Sequence, residues 1–261
     1  MKKLRFAFRY FNYLLKAGNE HSVHSPFVFD LLLNVIYVKT DYYVFKDIEN
    51  IRQQLLNSDK TISYTSYGVN TNEKNAPQIK IKNLAKHSAK PAKYGQLLFR
   101  LVNHFQPAQV LELGTSLGIS TAYLASANSK INVITIEGSK QLATIAGTNF
   151  KQLKLNNVKQ VTGNFENVLP PVIDGCKSLD FVFFDGNHRK EPTLNYFNLC
   201  LQKANESSVF VVDDIYWSKE MAEAWKEIKN NDSVTITIDL FFMGLVFFRK
   251  TQAKQHFIIR F

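Results

Sequence analysis

Residues 110–120 read VLELGTSLGIS: a short apolar run closed by the acid Glu112, then Gly114 and Gly118 on either side of Thr-Ser-Leu. Glycines at these positions let the backbone turn tightly after a strand and direct amide N–H groups, at the start of the next helix, toward an anion. The E-x-G-x-x-x-G spacing differs from the G-x-G-x-x-G of dinucleotide binders. Downstream, the hydrophobic pattern alternates between strand and helix. Residues 119–127 read as a helix, 132–137 (NVITIE) as a β-branched strand, 140–155 as a helix and 158–162 as a strand. Residues 179–185 (LDFVFFD) are apolar enough for a strand buried on both faces. A helix over 191–204, a strand over 208–213 and a helix over 219–230 follow. The last two strands, VTITIDLF and GLVFFRK, are joined by a short turn near Met243–Gly244.

Strands alternating with helices call for an α/β fold with a mostly parallel sheet covered on both faces. The reading gives seven strands, the last two an antiparallel C-terminal hairpin. Upstream the pattern is mainly helical. Phe8, Phe11, Leu14 and Leu15 recur at helical spacing, residues 26–38 and 47–57 suggest two further helices, and 91–105 leads into the first strand. Residues 61–77 are polar and aperiodic, as in an irregular connection. The expected division is therefore a helical N-terminal cap or substrate region over 1–85 and a cofactor-binding domain over 86–261.

Composition narrows the class. Hydrophobic residues make up 45% of the 261 and aromatic residues 13%, enough for a sizeable core. No apolar run approaches a membrane span, and Arg5, Arg9 and Lys16 interrupt the only signal-like stretch. Cys176 and Cys200 are too few for a disulfide framework, which fits a reducing, cytoplasmic setting. The net charge of +10 is lopsided: residues 1–100 hold 16 Lys/Arg against 7 Asp/Glu, and residues 101–261 hold 16 against 15. The surplus points to an anionic acceptor, with a solvated Lys-rich surface as the plain alternative. It also leaves room for nucleic acid, and for peripheral membrane contact through the basic, aromatic residues 2–17.

Four elements fall at successive strand ends, where open α/β sheets bind ligands. The glycine loop is the first. Glu137, followed by Gly138, is the second: an acid at a strand end can accept two hydrogen bonds from ribose hydroxyls, or simply favour a helix dipole. Asn164-Phe165 is the third, with an amide and a ring suited to a nucleobase, although a plain turn would look the same. Asp185-Gly186-Asn187-His188 is the fourth.

From about residue 90 to residue 250 the chain resembles the class I methyltransferases of the catechol O-methyltransferase type and related bacterial small-molecule O-methyltransferases. The stretches that carry the likeness are YGQ (94–96), ELGTSLGIS, TIEGS, TGNFENVLP, FFDGNH and VVDDI. HSVHSPFVF near the N-terminus instead resembles a group of uncharacterised Bacteroidetes methyltransferases. The resemblance implies a Rossmann-like sheet and S-adenosylmethionine as cofactor. It implies contacts at Glu112, Gly114, Ser116, Ser120, Glu137, Asn164, Phe165 and Asp185, and it puts the segment near residues 88–90 at the cofactor's amino-acid end; Gly118 and Gly138, in the same loops, complete the expected cofactor-binding set.

Methyl transfer to oxygen needs an ionising hydroxyl, which a divalent cation can supply. Asp185, Asp213 and Asp214 end two strands expected to be neighbours, and three carboxylates suit magnesium. The family has an amide at the last position, so Asp214 is a departure. His188 stands where the catechol enzyme carries a basic lysine, which makes it the candidate base, with Asp185 beside it. Tyr216 and Trp217 are candidates for the acceptor pocket's wall. His21 and His24 have no further ligands nearby in sequence, and Ser25-Pro26 reads as a helix start. Two other functions fit the same residues: an RNA methyltransferase, weakened by the lack of an Asn-Pro-Pro-Tyr-type loop, and a non-catalytic membrane-surface or partner-binding protein. The sequence leaves the acceptor and the oligomeric state open.

Overall fold

A computed structural model describes residues 2–63, 77–88 and 91–261. Most of the polar connection expected over 61–77 lies outside the described residues, as do residues 89 and 90 of the expected cofactor segment. The chain opens with helix α1 (Lys2–Lys16), a 3-10 turn (Glu20–Ser22) and α2 (Pro26–Leu31), which runs into one π-helical turn (Leu32–Ile36). Ser25 caps α2 by accepting from the Val28 N–H, and Pro26 occupies the first turn, where its missing N–H costs nothing. Helix α3 (Tyr43–Leu56), strands β1 (Thr61–Ser63) and β2 (Gln78–Lys80), and helices α4 (Ile81–Ser88) and α5 (Ala92–Phe105) follow. The β1–β2 antiparallel pair is a correction to the sequence reading: the flanks of the polar connection form a small ladder.

The alternating part then runs β3 (Gln109–Leu113), α6 (Ile119–Ser126), β4 (Asn132–Glu137), α7 (Lys140–Gln152), β5 (Val158–Thr162), α8 (Phe165–Asp174), β6 (Phe181–Phe184) and α9 (Lys190–Leu201). It ends with β7 (Val209–Asp213), α10 (Lys219–Asn230), β8 (Ile236–Asp239), β9 (Met243–Phe247) and β10 (Gln255–Ile258). By contacts the chain divides into two compact units, Lys39–Asp174 and Met1–Val38 with Gly175–Phe261. This division runs differently from a boundary at residue 85.

In the 39–174 unit, β3, β4 and β5 form a parallel ladder, with Glu112 in register with Thr135 and Glu137 with Thr162. Helices α3, α4, α5 and α6 share one core, in which Phe45, Ile48, Ile51, Leu84, Phe99 and Tyr123 are buried. Gly95 makes the α5–α6 contact possible: a Cβ there would sit 2.3 Å from the Tyr123 ring. The Tyr123 hydroxyl donates to Glu49 on α3 at 2.8 Å, so this buried ring keeps its polar end satisfied.

In the other unit β6 and β7 pair in parallel, β9 runs antiparallel to both β7 and β8, and β10 runs parallel to β8. The expected hairpin is therefore present. Among the described residues these five strands, β10 included, and the three of the other ladder make eight rather than the seven expected. Gly244 on β9 admits the fully buried Trp225 of α10, whose indole lies 2.5 Å from where a Cβ would stand. The N-terminus is tied into the same unit. The Tyr13 hydroxyl donates to the Ile259 carbonyl at 2.5 Å, Gly18 bridges to Ile259, and Phe27 meets Phe247 edge-on. Phe8, Phe11 and Leu15 of α1 are exposed. No described helix is long and apolar enough to cross a membrane.

Candidate active site

The glycine loop of the 39–174 unit is shaped by left-handed backbone at three positions: Gly114 (φ 104°), Ser116 (φ 48°) and Gly118 (φ 82°). Gly118 is required twice over. Its φ disfavours any L side chain, and an added Cβ would lie 2.7 Å from the Phe150 ring of α7. Its contribution is thus close helix packing that fixes the loop. The Gly114 and Thr115 N–H groups both donate to the Ile136 carbonyl, which ties the loop to the end of β4.

Glu137 ends β4 almost fully buried, with one carboxylate oxygen accepting from the Ser116 N–H and the other from the Ser139 N–H, each at 2.8 Å. Burial raises its pKa, while backbone N–H groups at Ser139, Ser116 and Gly138 oppose that rise. The side chain is therefore held in one pose by backbone N–H groups.

Glu112 behaves differently. It has no solvent exposure, and one carboxylate oxygen accepts from the hydroxyls of Thr121 and Thr135. Burial drives its pKa up to about 7 against the pull of the Ser120, Thr121 and Thr135 hydroxyls. Through this oxygen Glu112 links the first turn of α6 to β4, while its Oε1 is buried with no hydrogen bond among the described residues. The hydroxyl of Ser120, a residue also expected to touch the cofactor, is one of those that hold the Glu112 pKa down. The sequence reading missed Thr121 and Thr135. Thr135 reaches Glu112 through the β3–β4 register, which no local stretch of sequence shows.

Asn164 and Phe165 stand at the start of α8, both half-buried. The Asn164 Oδ1 accepts from the Glu166 N–H at 3.1 Å and its carbonyl from Val168, so this side chain caps the helix. Helix α8 was not expected, because Pro170 and Pro171 lie inside it.

In the other unit Asp185 follows β6 and Asp213 ends β7. The register pairs Phe184 with Val212, which places these two acids next in line on neighbouring strands. Asp213 is fully buried and Asp185 half-buried. His188 approaches Asp185, with Nε2 3.6 Å from Oδ1. Asp185, His188 and Asp213 each offer a ligand atom within 4.8 Å of the others. Asp214 is not in that group; its backbone is left-handed (φ 52°), with its N–H on the Phe242 carbonyl. The group brought together among the described residues is thus two acids and an imidazole, not the three acids expected. Neither His21 nor His24 belongs to any such group.

Next along the chain, Tyr216 donates to the buried Asp239 at 2.5 Å, and Trp225 donates to the same carboxylate at 3.3 Å. Burial raises the Asp239 pKa. The α1 residues Phe6, Tyr10 and Tyr13 pack on Phe241, and the Arg9 guanidinium donates to the Tyr216 carbonyl. Tyr216 is therefore a structural anchor, while Trp217 is 65% exposed, with its ring edge-on to Phe6.

Residues 111–215 match the model of a methyltransferase domain family. A catechol O-methyltransferase of Niastella koreensis is 31% identical over 131 residues, covering 49% of this chain and 57% of its own. One from Mycobacterium tuberculosis is 32% identical over 126 residues, covering 48% and 56%. The chain thus spans little more than half the length of the curated relatives it matches. Among solved structures, the O-methyltransferase TomG of Streptomyces achromogenes, in complex with S-adenosylmethionine, superposes with a TM-score of 0.58. It is 19% identical, over 85% of this chain and 95% of its own. Residues 111–215 are accordingly similar to a methyltransferase domain, and the chain shares the fold of the O-methyltransferase TomG.

Proposed function

We propose that this protein transfers a methyl group from S-adenosylmethionine to a hydroxyl of a small acceptor. The observation that carries the reading is Glu137, pinned by the Ser116 and Ser139 N–H groups at the end of β4 beside the glycine loop. An acid so held serves a ribose diol, since its orientation is settled before the ligand arrives. The loop around Ser116 would take the cofactor's amino-acid end, and Phe165 would lie against the adenine. In the reaction the methyl carbon forms a bond to the acceptor oxygen as its bond to sulfur breaks. S-Adenosylhomocysteine leaves, and the hydroxyl proton passes to solvent.

Asp185 and Asp213 would hold a divalent cation, magnesium being one that such oxygens accept. Bound there, the ion would lower the acceptor's pKa and fix its position. The cationic surplus in residues 1–100 supports an anionic acceptor, with residues 1–85 contributing to its selection and the cytoplasm as the setting.

Calorimetric titration with S-adenosylmethionine tests the cofactor reading. Glu137→Ala should weaken binding at least about 30-fold, the scale of losing charge-assisted hydrogen bonds. Unchanged affinity in a variant that keeps its far-UV circular dichroism would refute the assignment.

A further inference from the structure

We infer that His188 is a metal ligand rather than a base, and that the site therefore prefers a borderline first-row divalent ion over magnesium. The inference rests on the metal-assisted reading of Asp185 and Asp213 above. The departure point is the 3.6 Å separation between His188 Nε2 and Asp185 Oδ1. That is too long for a hydrogen bond, which brings N and O to about 2.7–3.2 Å. It is the span expected of two atoms that share an ion: bonds of about 2.0–2.2 Å set neighbouring ligands about 3–4 Å apart. Asp213 is the candidate third donor: the three ligand atoms lie within 4.8 Å of one another, so a small closure of the group would let them share an ion.

The local backbone serves this arrangement. Asn187 takes a left-handed conformation (φ 54°) that turns the chain back on itself between Asp185 and His188, and the Arg189 N–H closes onto the Asn187 carbonyl at 2.6 Å. The Asn187 amide is engaged in turn by the Tyr196 hydroxyl at 3.3 Å and by the Arg189 guanidinium at 2.8 Å. The turn is held from three sides, so the imidazole is not simply a loop side chain swinging in solvent.

Donor chemistry then selects the ion. Magnesium takes oxygen ligands in near-octahedral geometry, whereas imidazole suits zinc, iron and nickel. Two carboxylates with one imidazole form a mixed set that a borderline ion satisfies better. Asp214, also an acid, is not in the group of three. A nitrogen that ligates through Nε2 has no lone pair left for a proton. Under this assignment the acceptor's proton goes to solvent, and His188 acts by holding the ion.

The test uses the full chain, stripped of metal and labelled with ¹⁵N-histidine, titrated separately with zinc and with magnesium. Zinc should shift one imidazole Nε2 resonance, the one missing from His188→Gln, and magnesium should leave it in place. By competition titration, His188→Gln should weaken zinc binding at least tenfold while changing magnesium affinity less than twofold. Zinc binding that leaves the His188 resonance unmoved would overturn the inference, as would equal losses for both ions in the variant or absence of zinc binding. The side chain is 30% exposed, so the substitution should leave the fold intact, which a melting curve checks. S-Adenosylmethionine affinity measured on the same metal-free protein separates the two claims. Cofactor binding without the zinc shift removes only this inference. The zinc shift without cofactor binding removes the methyltransferase reading and leaves the site.

Discussion

The cofactor loop of the 39–174 unit and the acid–imidazole group of the other unit are built on opposite plans. In the loop the acids are buried: each Glu137 oxygen accepts from a backbone N–H, and one Glu112 oxygen accepts from two threonine hydroxyls. In the other group, Asp185 and His188 remain half-exposed and approach each other without a hydrogen bond. One region is fixed by backbone and threonine hydrogen bonds; the other gathers two acids and an imidazole. The contrast teaches that a carboxylate's function is read from what its oxygens already hold. Glu112, central to the sequence motif, clamps α6 to β4 through one oxygen. His188, a residue of a loop, stands with the donors.

The largest effect should come from breaking the fixed region. Gly118→Val puts a β-branched side chain at φ 82° and drives its Cβ to 2.7 Å from Phe150. Strain and overpacking together should cost about 3 kcal/mol or more in urea unfolding. Asn187 shares the left-handed backbone, but Asn tolerates it and Gly adopts it freely. Asn187→Gly should therefore shift stability by less than about 1 kcal/mol. Similar losses at the two sites would erase the distinction between the regions.

A second effect turns on pH. The folded-state pKa of Glu112 is about 7, above its ordinary 4.5. As pH rises from about 4.5 the unfolded chain gives up its proton first. This group's contribution to stability therefore falls until about pH 7 and then levels off. Glu112→Gln removes the titration, so its stability relative to the parent should climb through that window, by at most about 3 kcal/mol. Paired denaturation curves between pH 4.5 and 8 read this directly. A difference that stays flat would mean that the carboxyl is ionised throughout and the clamp is a charged one.

How far the sequence could be read follows the same division between local and assembled features. Strand β4 and helix α10 are found at the residues their patterns indicate, because alternating β-branched residues and a capping serine are local signals. Helix α8 was hidden by Pro170 and Pro171, which normally exclude a helix. Strand β10 was hidden because its partners are β8 and, through Ile259, Gly18: pairings across the chain that no window shows. In the site, Gly118 and the strand-end position of Glu137 were legible for the same local reason. The sealing of Glu112 depends on Thr121 and Thr135 arriving from a helix and a strand. The meeting of His188 with Asp213 depends on the β6–β7 register. Neither can be read from spacing alone.

The smallest effect on stability, and the sharpest on function, is expected at Trp217. Its ring is 65% exposed, and it meets Phe6 edge-on at 6.4 Å. So large an apolar side chain left in water contributes little to the core, and Trp217→Ala should change unfolding free energy by less than about 1 kcal/mol. Tyr216, one residue earlier, spends its hydroxyl on Asp239 and is part of the framework. If the exposed indole instead meets the acceptor, its removal should raise KM for that acceptor several-fold and leave S-adenosylmethionine affinity unchanged. An equal loss of cofactor affinity would assign Trp217 to the fixed region. A KM that does not move would leave the indole outside the acceptor's path, and acceptor selection would then have to come from other residues.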